Sequence, residues 1–310
     1  MSKTATRTAY GTALAKLIVE RDDVIVLDAD LTKSTKTCDA KKARPEHHFN
    51  MGIAEGNMMG VAAGLAASGK IVYASSFAIF AAGRAYEQIR NSIAYPNLNV
   101  KICATHAGIT VGEDGASHQA IEDLTLMRVI PNMKVFCPCD AKQTESIIKA
   151  IANIEGPCYV RLGRGNVEDI YQDEKAFTYG KGNILRKGKG IAIIATGMMV
   201  QEALKATDLL KEKGMEITVI DMPCIKPIDE ELITETAKNH QLIISCEEHS
   251  VIGGLGSAIS EIMVKQDPVR MMMMGMQDSF GESGTPEALL QKYGLNADAI
   301  VKQVEASWKN

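Results

Sequence analysis

The chain has 310 residues, 46% hydrophobic and 23% charged, a globular composition with room for two domains of ordinary size. Its 34 Lys and Arg against 38 Asp and Glu leave a formal net charge of −4. That balance argues against nucleic acid as the main partner, because phosphate binding needs an excess of positive charge. No run of about 18 apolar residues exists to cross a membrane, and the N-terminus Met1-Ser2-Lys3-Thr4 lacks the apolar core of a secretory signal. A cytoplasmic enzyme is the expectation.

In chain order, strand and helix patterns alternate. Val24–Leu27 is an apolar run ending in Asp28-Ala29-Asp30 and predicts a buried strand with a polar end. Residues 54–68, rich in Ala, Gly and Met, predict a tightly packed helix. Strands at 71–73, 100–103, 134–136 and 159–160 then alternate with helices at 80–93, near 120–129 and at 141–153, and a Gly-rich loop covers about 105–118. Strands separated by helices of this length imply a mostly parallel, doubly wound sheet. Ligands of such sheets bind beyond the carboxyl ends of the strands, so the loops after Leu27, Tyr73 and Cys103 are the candidate sites. Residues 166–188 read as a linker with an incoming hairpin, dividing a domain at 1–165 from one at 189–310. The second domain predicts strands at 191–195, 217–220, 242–245 and 271–274, helices at 199–213 and 229–239, and one or two closing helices at 286–308. The Met271–Met274 run reads as a core strand rather than a soft binding surface.

Seven cysteines are spread through apolar stretches and read as buried thiols. Cys137-Pro138-Cys139 is too close for zinc-hook spacing and lacks a second pair, so no metal site is assigned. The cluster Lys33, Lys36, Lys41, Lys42 and Arg44 reads mainly as solvated loop charge.

The densest chemistry lies between Thr105 and Gln119, which holds two His, two acids and three Gly among the residues His106 to His118. Glycine allows close backbone approach to a ligand, and His and Asp supply hydrogen bonds and, for His, a proton near neutral pH. A second candidate is Glu55, a lone acid between Glu46 and Glu87 at the start of an apolar, small-residue helix. A carboxylate there is favoured by the helix dipole, or, if buried, is suited to proton handling.

Residues Gly52–Arg164 resemble the pyrimidine-binding domain of transketolases, carried by Thr105-His106 and Gly112-Glu113-Asp114-Gly115-x-x-His118-Gln119. The remainder resembles the transketolase C-terminal domain. Thiamine enzymes hold the diphosphate and its metal through a Gly-Asp-Gly motif, and this chain has no Gly-Asp dipeptide. The resemblance therefore implies the C-terminal half of a split transketolase. Thiamine diphosphate and Mg2+ would be shared with an N-terminal subunit that carries the motif, in a heterotetramer with two subunits of each kind.

By this resemblance Glu55 is similar to the glutamate that hydrogen-bonds N1′ of the thiamine pyrimidine, and Phe77 and Phe80 to the aromatics beside that ring. A third aromatic expected just after Phe80 is absent; Ala81-Ala82-Gly83 stands there. Arg7, Ser34, His106 and Arg164 resemble the cluster that grips a sugar phosphate, which suits the planar fork of arginine. Asp114 and His118 resemble contacts to sugar hydroxyls, His118 also being counted with Glu55 as catalytic, and Asp30 lies at a matching place close to the cofactor. Ala107 stands where many relatives carry Asp. The implied reaction is transfer of a two-carbon ketol unit between ketose and aldose phosphates, with the pentose phosphate pathway as the prior. A deoxyxylulose-phosphate-synthase-like enzyme, a 2-oxo-acid dehydrogenase β subunit and a non-catalytic regulatory paralogue remain open alternatives. The loops Glu247-Glu248-His249-Ser250 and Gly253-Gly254-Leu255-Gly256 resemble family loops but receive no role.

Overall fold

Val24–Asp28, Ile71–Ser75 and Val100–Ala104 are buried at every position, the pattern of strands covered on both faces rather than on one. The computed structural model describes residues 3–172 and 176–308. Its strands in chain order are β1 (Lys3–Ala5), β2 (Val24–Asp28), β3 (His48–Asn50), β4 (Ile71–Ser75), β5 (Val100–Ala104), β6 (Lys134–Phe136) and β7 (Cys158–Arg161). They continue as β8 (Asn166–Glu168), β9 (Asn183–Arg186), β10 (Gly190–Ala195), β11 (Thr218–Asp221), β12 (Cys224–Lys226), β13 (His240–Ser250) and β14 (Arg270–Met276).

A seven-stranded sheet has the order β12-β6-β7-β5-β4-β2-β3 and a five-stranded sheet the order β14-β13-β10-β11-β9. Pairing in the first sheet is parallel except at β12, which the second half of the chain contributes antiparallel to β6. In the second sheet only β9 runs antiparallel, beside β11. The two halves therefore share a sheet, through a strand too short to leave a periodic signal. Residues 166–188, read as a linker, hold β8, which pairs with β1, and β9, which edges the second sheet. Asp140 fastens this stretch by accepting from the Ile170 and Tyr171 amides at 2.8 and 2.7 Å.

Several elements differ from the sequence expectation. The helix Glu55–Ala67 packs Met58, Met59, Ala62, Ala63 and Ala66 into the core, but Gly60 and Gly64 face open space, so the tight packing holds on one face. The region 80–93 is helical with π turns at Phe80–Arg84 and Gln88–Ala94, a widened geometry common near functional sites. Met271–Met274 form a strand, yet β14 is an edge strand and these side chains are only half-buried. Six of the seven cysteines are buried and all are free thiols; burial pushes Cys137 up to about 11.

Candidate functional site

Every candidate loop lies at the carboxyl edge of the seven-stranded sheet. Asp30 and Ser34 follow β2, Glu55 follows β3, Phe77 and Phe80 follow β4, the Thr105–Gln119 loop follows β5, and Arg164 follows β7. Arg7 joins them from the first turn of the helix Thr6–Glu20. A parallel sheet gathers these loops because all its strands point the same way.

Arg7, Ser34 and His106 meet directly. Arg7 Nη1 donates to the Ser34 carbonyl at 3.0 Å and lies 3.2 Å from His106 Nε2. Because a guanidinium only donates, Nε2 is the acceptor, and His106 Nδ1–H therefore donates to Thr105 Oγ1 at 2.8 Å. Burial, followed by the nearby charges of Arg7 and Arg164, lowers the His106 pKa to about 3, so the ring is neutral at physiological pH. Burial and then Arg164 lower the Arg7 pKa as well, and Arg7 Nε is buried with no partner among the described residues. Ser34 enters this cluster through its backbone carbonyl. Its placement depends on Asp28, a fully buried carboxylate that accepts from Thr32, Thr35 and Thr37 hydroxyls and the Leu31 amide.

Arg164 donates to the Val111 carbonyl and lies 3.5 Å from Glu113 and 3.7 Å from Asp114. Asp114 and Glu113 are exposed. His118, half-buried, sits edge-on to Phe80 with ring centroids 5.4 Å apart. Phe77 is sandwiched: Phe80 lies at 5.8 Å and His106 at 3.8 Å, both stacked. Arg84 lies 4.0 Å over the Phe80 ring, a cation–π arrangement, and 3.4 Å from Glu55 Oε1. Glu55 is 4% exposed, and its other neighbour on Oε1 is the Ser76 hydroxyl at 3.5 Å. Asp30 stands apart from both clusters, paired with Asn50, whose Nδ2 donates to it at 3.0 Å.

Sequence reasoning missed a second, buried polar cluster behind this loop. Arg161, 5% exposed, pairs with Asp123 at 3.0 Å, and Tyr159 donates to the same carboxylate at 2.7 Å. Arg161 also reaches the Ala120 and Glu248 carbonyls; burial is the largest influence and opposes its charge, but Asp123, Cys137, Glu248 and Tyr159 together outweigh it and the pKa stands above its ordinary value. Glu247 and Glu248 are buried beside it. Burial raises both, Glu247 to about 7. Burial lowers His249 to about 4. The sequence did carry a signal for Arg161: a charge inside an otherwise apolar strand must find a counter-charge.

An α/β sheet gathering acid, aromatic, histidine and arginine groups at its carboxyl edge is a polar-ligand site of the kind cofactor-dependent enzymes use. Residues 2–169 match the transketolase pyrimidine-binding domain and residues 180–300 the transketolase C-terminal domain. A Methanocaldococcus jannaschii protein named for the C-terminal section of a transketolase is 49% identical over 98% of this chain and 96% of its own length. Human transketolase is 37% identical over 97% of this chain, which spans 49% of that protein. Among solved structures, a split-gene transketolase in an inactive β4 tetramer superposes with a TM-score of 0.91 at 55% identity, covering 97% of both chains. The chain belongs to the transketolase family, whose enzymes depend on thiamine diphosphate. Among the described residues no helix is long and apolar enough to cross a membrane.

Proposed function

We propose that this chain is the pyrimidine-binding half of a two-chain transketolase, moving a two-carbon ketol unit from a ketose phosphate to an aldose phosphate. The observation that carries the reading is one edge of one sheet on which Glu55 and Phe80 lie beside an Arg7–His106–Arg164 cluster, in a chain without a Gly-Asp dipeptide.

The residues fit one end of the cofactor. Glu55 is a buried carboxyl whose two nearest donors are long, at 3.4 and 3.5 Å, so it has capacity for a stronger partner. Phe80 offers an aromatic face that Arg84 now covers. Neither a Gly-Asp-Gly motif nor, among the described residues, a group of three metal ligands is available for the diphosphate end. That end falls to an N-terminal partner subunit, with Mg2+, in an assembly of two subunits of each kind.

Bound thiamine diphosphate supplies a carbon nucleophile for the ketose carbonyl. Glu55 holds a proton at N1′ of the pyrimidine, which an amide could hydrogen-bond but not relay. Phe80, with Phe77 behind it, flanks the ring. Arg7 and Arg164 bind the substrate phosphate; two fixed guanidinium forks at a partly buried edge match its geometry. His106, kept neutral first by burial and then by those same cations, presents no third charge and orients Arg7. Asp114 and His118 meet the sugar hydroxyls from the exposed rim. Asp30, bonded to Asn50, lines the approach to the cofactor.

The test is reconstitution. The chain alone is expected to show no turnover, and to gain it when mixed with the N-terminal subunit, thiamine diphosphate and magnesium, using xylulose 5-phosphate as donor. Robust activity of the isolated chain overturns the split reading. Turnover of pyruvate in place of the sugar phosphate reassigns the chain to deoxyxylulose-phosphate-synthase-like or oxo-acid chemistry, and inactivity in every mixture to a regulatory role.

A further inference from the structure

The three glycines of the Ile109–Asp114 region were candidates for close ligand approach. Their missing side chains point elsewhere. Gly108, Gly112 and Gly115 have φ of +81°, +85° and +75°, a region that favours glycine, and each faces the second domain. A Cβ at Gly108 would stand 2.3 Å from the Glu248 carboxyl, one at Gly115 2.6 Å from Ser283 Oγ, and one at Gly112 3.4 Å from both the Gly284 carbonyl and Pro286.

Two polar contacts reinforce this apposition. Glu248, 5% exposed on β13, accepts the Thr110 amide at 2.7 Å. Gln119, 3% exposed, donates to the Ile109 carbonyl at 3.1 Å and to the Glu282 carbonyl at 2.9 Å, tying the loop to the second domain. The bond from Thr110 is short and buried, so leaving that amide without an acceptor is costly. The loop so held carries His106 at one end and Asp114 and His118 at the other, and Arg164 bonds to its Val111 carbonyl.

We propose that the second domain acts on ketol transfer as the support of the sugar-binding loop, with Glu248 as its principal positioning residue. Glu248 touches no reacting atom. It fixes the Thr110 amide, and through the Ile109–Asp114 turn it sets where Asp114 and Arg164 stand relative to the sugar phosphate. The proposal rests on the transketolase reading above for its effect on substrate, but not for its effect on the loop.

The experiment uses the full chain and its complex with the N-terminal subunit. In Glu248→Ala, hydrogen exchange at the Thr110 amide accelerates by about tenfold or more, the loss of a buried hydrogen bond. The KM for xylulose 5-phosphate in the complex rises by about tenfold, while affinity for thiamine diphosphate stays within about twofold, because Glu55 and Phe80 sit on other loops. Glu248→Gln restores both quantities, since its amide oxygen still accepts from Thr110. Should Glu248→Ala not fold, Gln119→Met, which removes the donors to Ile109 and Glu282 at similar volume, gives the same pattern. Unchanged exchange and unchanged KM in a folded Glu248→Ala chain overturn the proposal, as does a Gln variant as impaired as Ala. Lack of ketol transfer in the unmutated complex overturns the functional reading, whereas the exchange measurement decides the positioning of the loop by itself.

Discussion

His106 permits a sharp prediction, because its protonation state and tautomer both follow from its neighbours. Burial is the largest cause of its lowered pKa, followed by Arg7, Arg164 and His118. A fall from 6.5 to about 3 corresponds to about 5 kcal/mol of preference for the neutral ring at about 1.4 kcal/mol per tenfold. The unfolded chain takes up this proton below about pH 6.5, whereas the folded chain stays neutral down to about pH 3. The stabilisation is therefore complete above pH 6.5 and is lost progressively as the pH falls towards 3. Histidine-labelled protein followed by NMR, with His106→Asn to assign the signal, checks this. The His106 resonance should not move between pH 8 and pH 5, and its nitrogen shifts should report the Nδ1–H tautomer. In Arg7→Met the midpoint should rise yet stay below 6.5, since burial remains. A midpoint near 6.5, or an Nε2–H ring, refutes the Arg7–His106–Thr105 arrangement.

Three further outcomes follow from the same geometry. Glu55→Gln should leave the thermal midpoint within a degree or two and lower kcat of the reconstituted complex by about 100-fold or more; near-normal turnover removes the proton-holding role. Arg164→Met should raise the KM for a phosphorylated ketose by about tenfold or more while leaving the unphosphorylated ketose nearly unaffected, because the lost fork serves the phosphate. An equal loss for both substrates contradicts that assignment. Asp123→Ala should destabilise the chain by about 3–5 kcal/mol in urea unfolding, since it strands the buried Arg161 cation. Adding Arg161→Met should recover a large part of it, and a single-mutant cost below about 1 kcal/mol shows that the pair is not uncompensated when broken.

The sheet itself was legible because unbroken apolar runs such as Val24–Leu27 and Ile71–Tyr73 are local and bounded by turns. The strands that were missed, β1, β3, β8, β9 and β12, span three or four residues that mix polar with apolar side chains, which leaves little period to show. Their pairing is decided by neighbours far along the chain. The candidate site was legible in its residues, because Glu55 and the Thr105–Gln119 loop concentrate polar chemistry within apolar surroundings. Its internal division was not. Nothing in the spacing says that Phe77 is sandwiched by Phe80 and His106, that Arg84 covers Phe80 and reaches Glu55, or that Asp30 pairs with Asn50 instead of joining the arginines.

Composition, periodicity and motif marked the chain as a pair of α/β domains with candidate site loops at strand ends, and the family resemblance named ten candidate residues on or near them. The tertiary structure alone decided which atoms face one another: that Arg7 makes His106 an acceptor across 99 residues, and that Glu248 holds the Thr110 amide across 138. Hydrophobic periodicity is written locally, one residue at a time, so it survives in a linear reading. A hydrogen bond between distant segments depends on how whole layers pack, and only the folded chain contains that information.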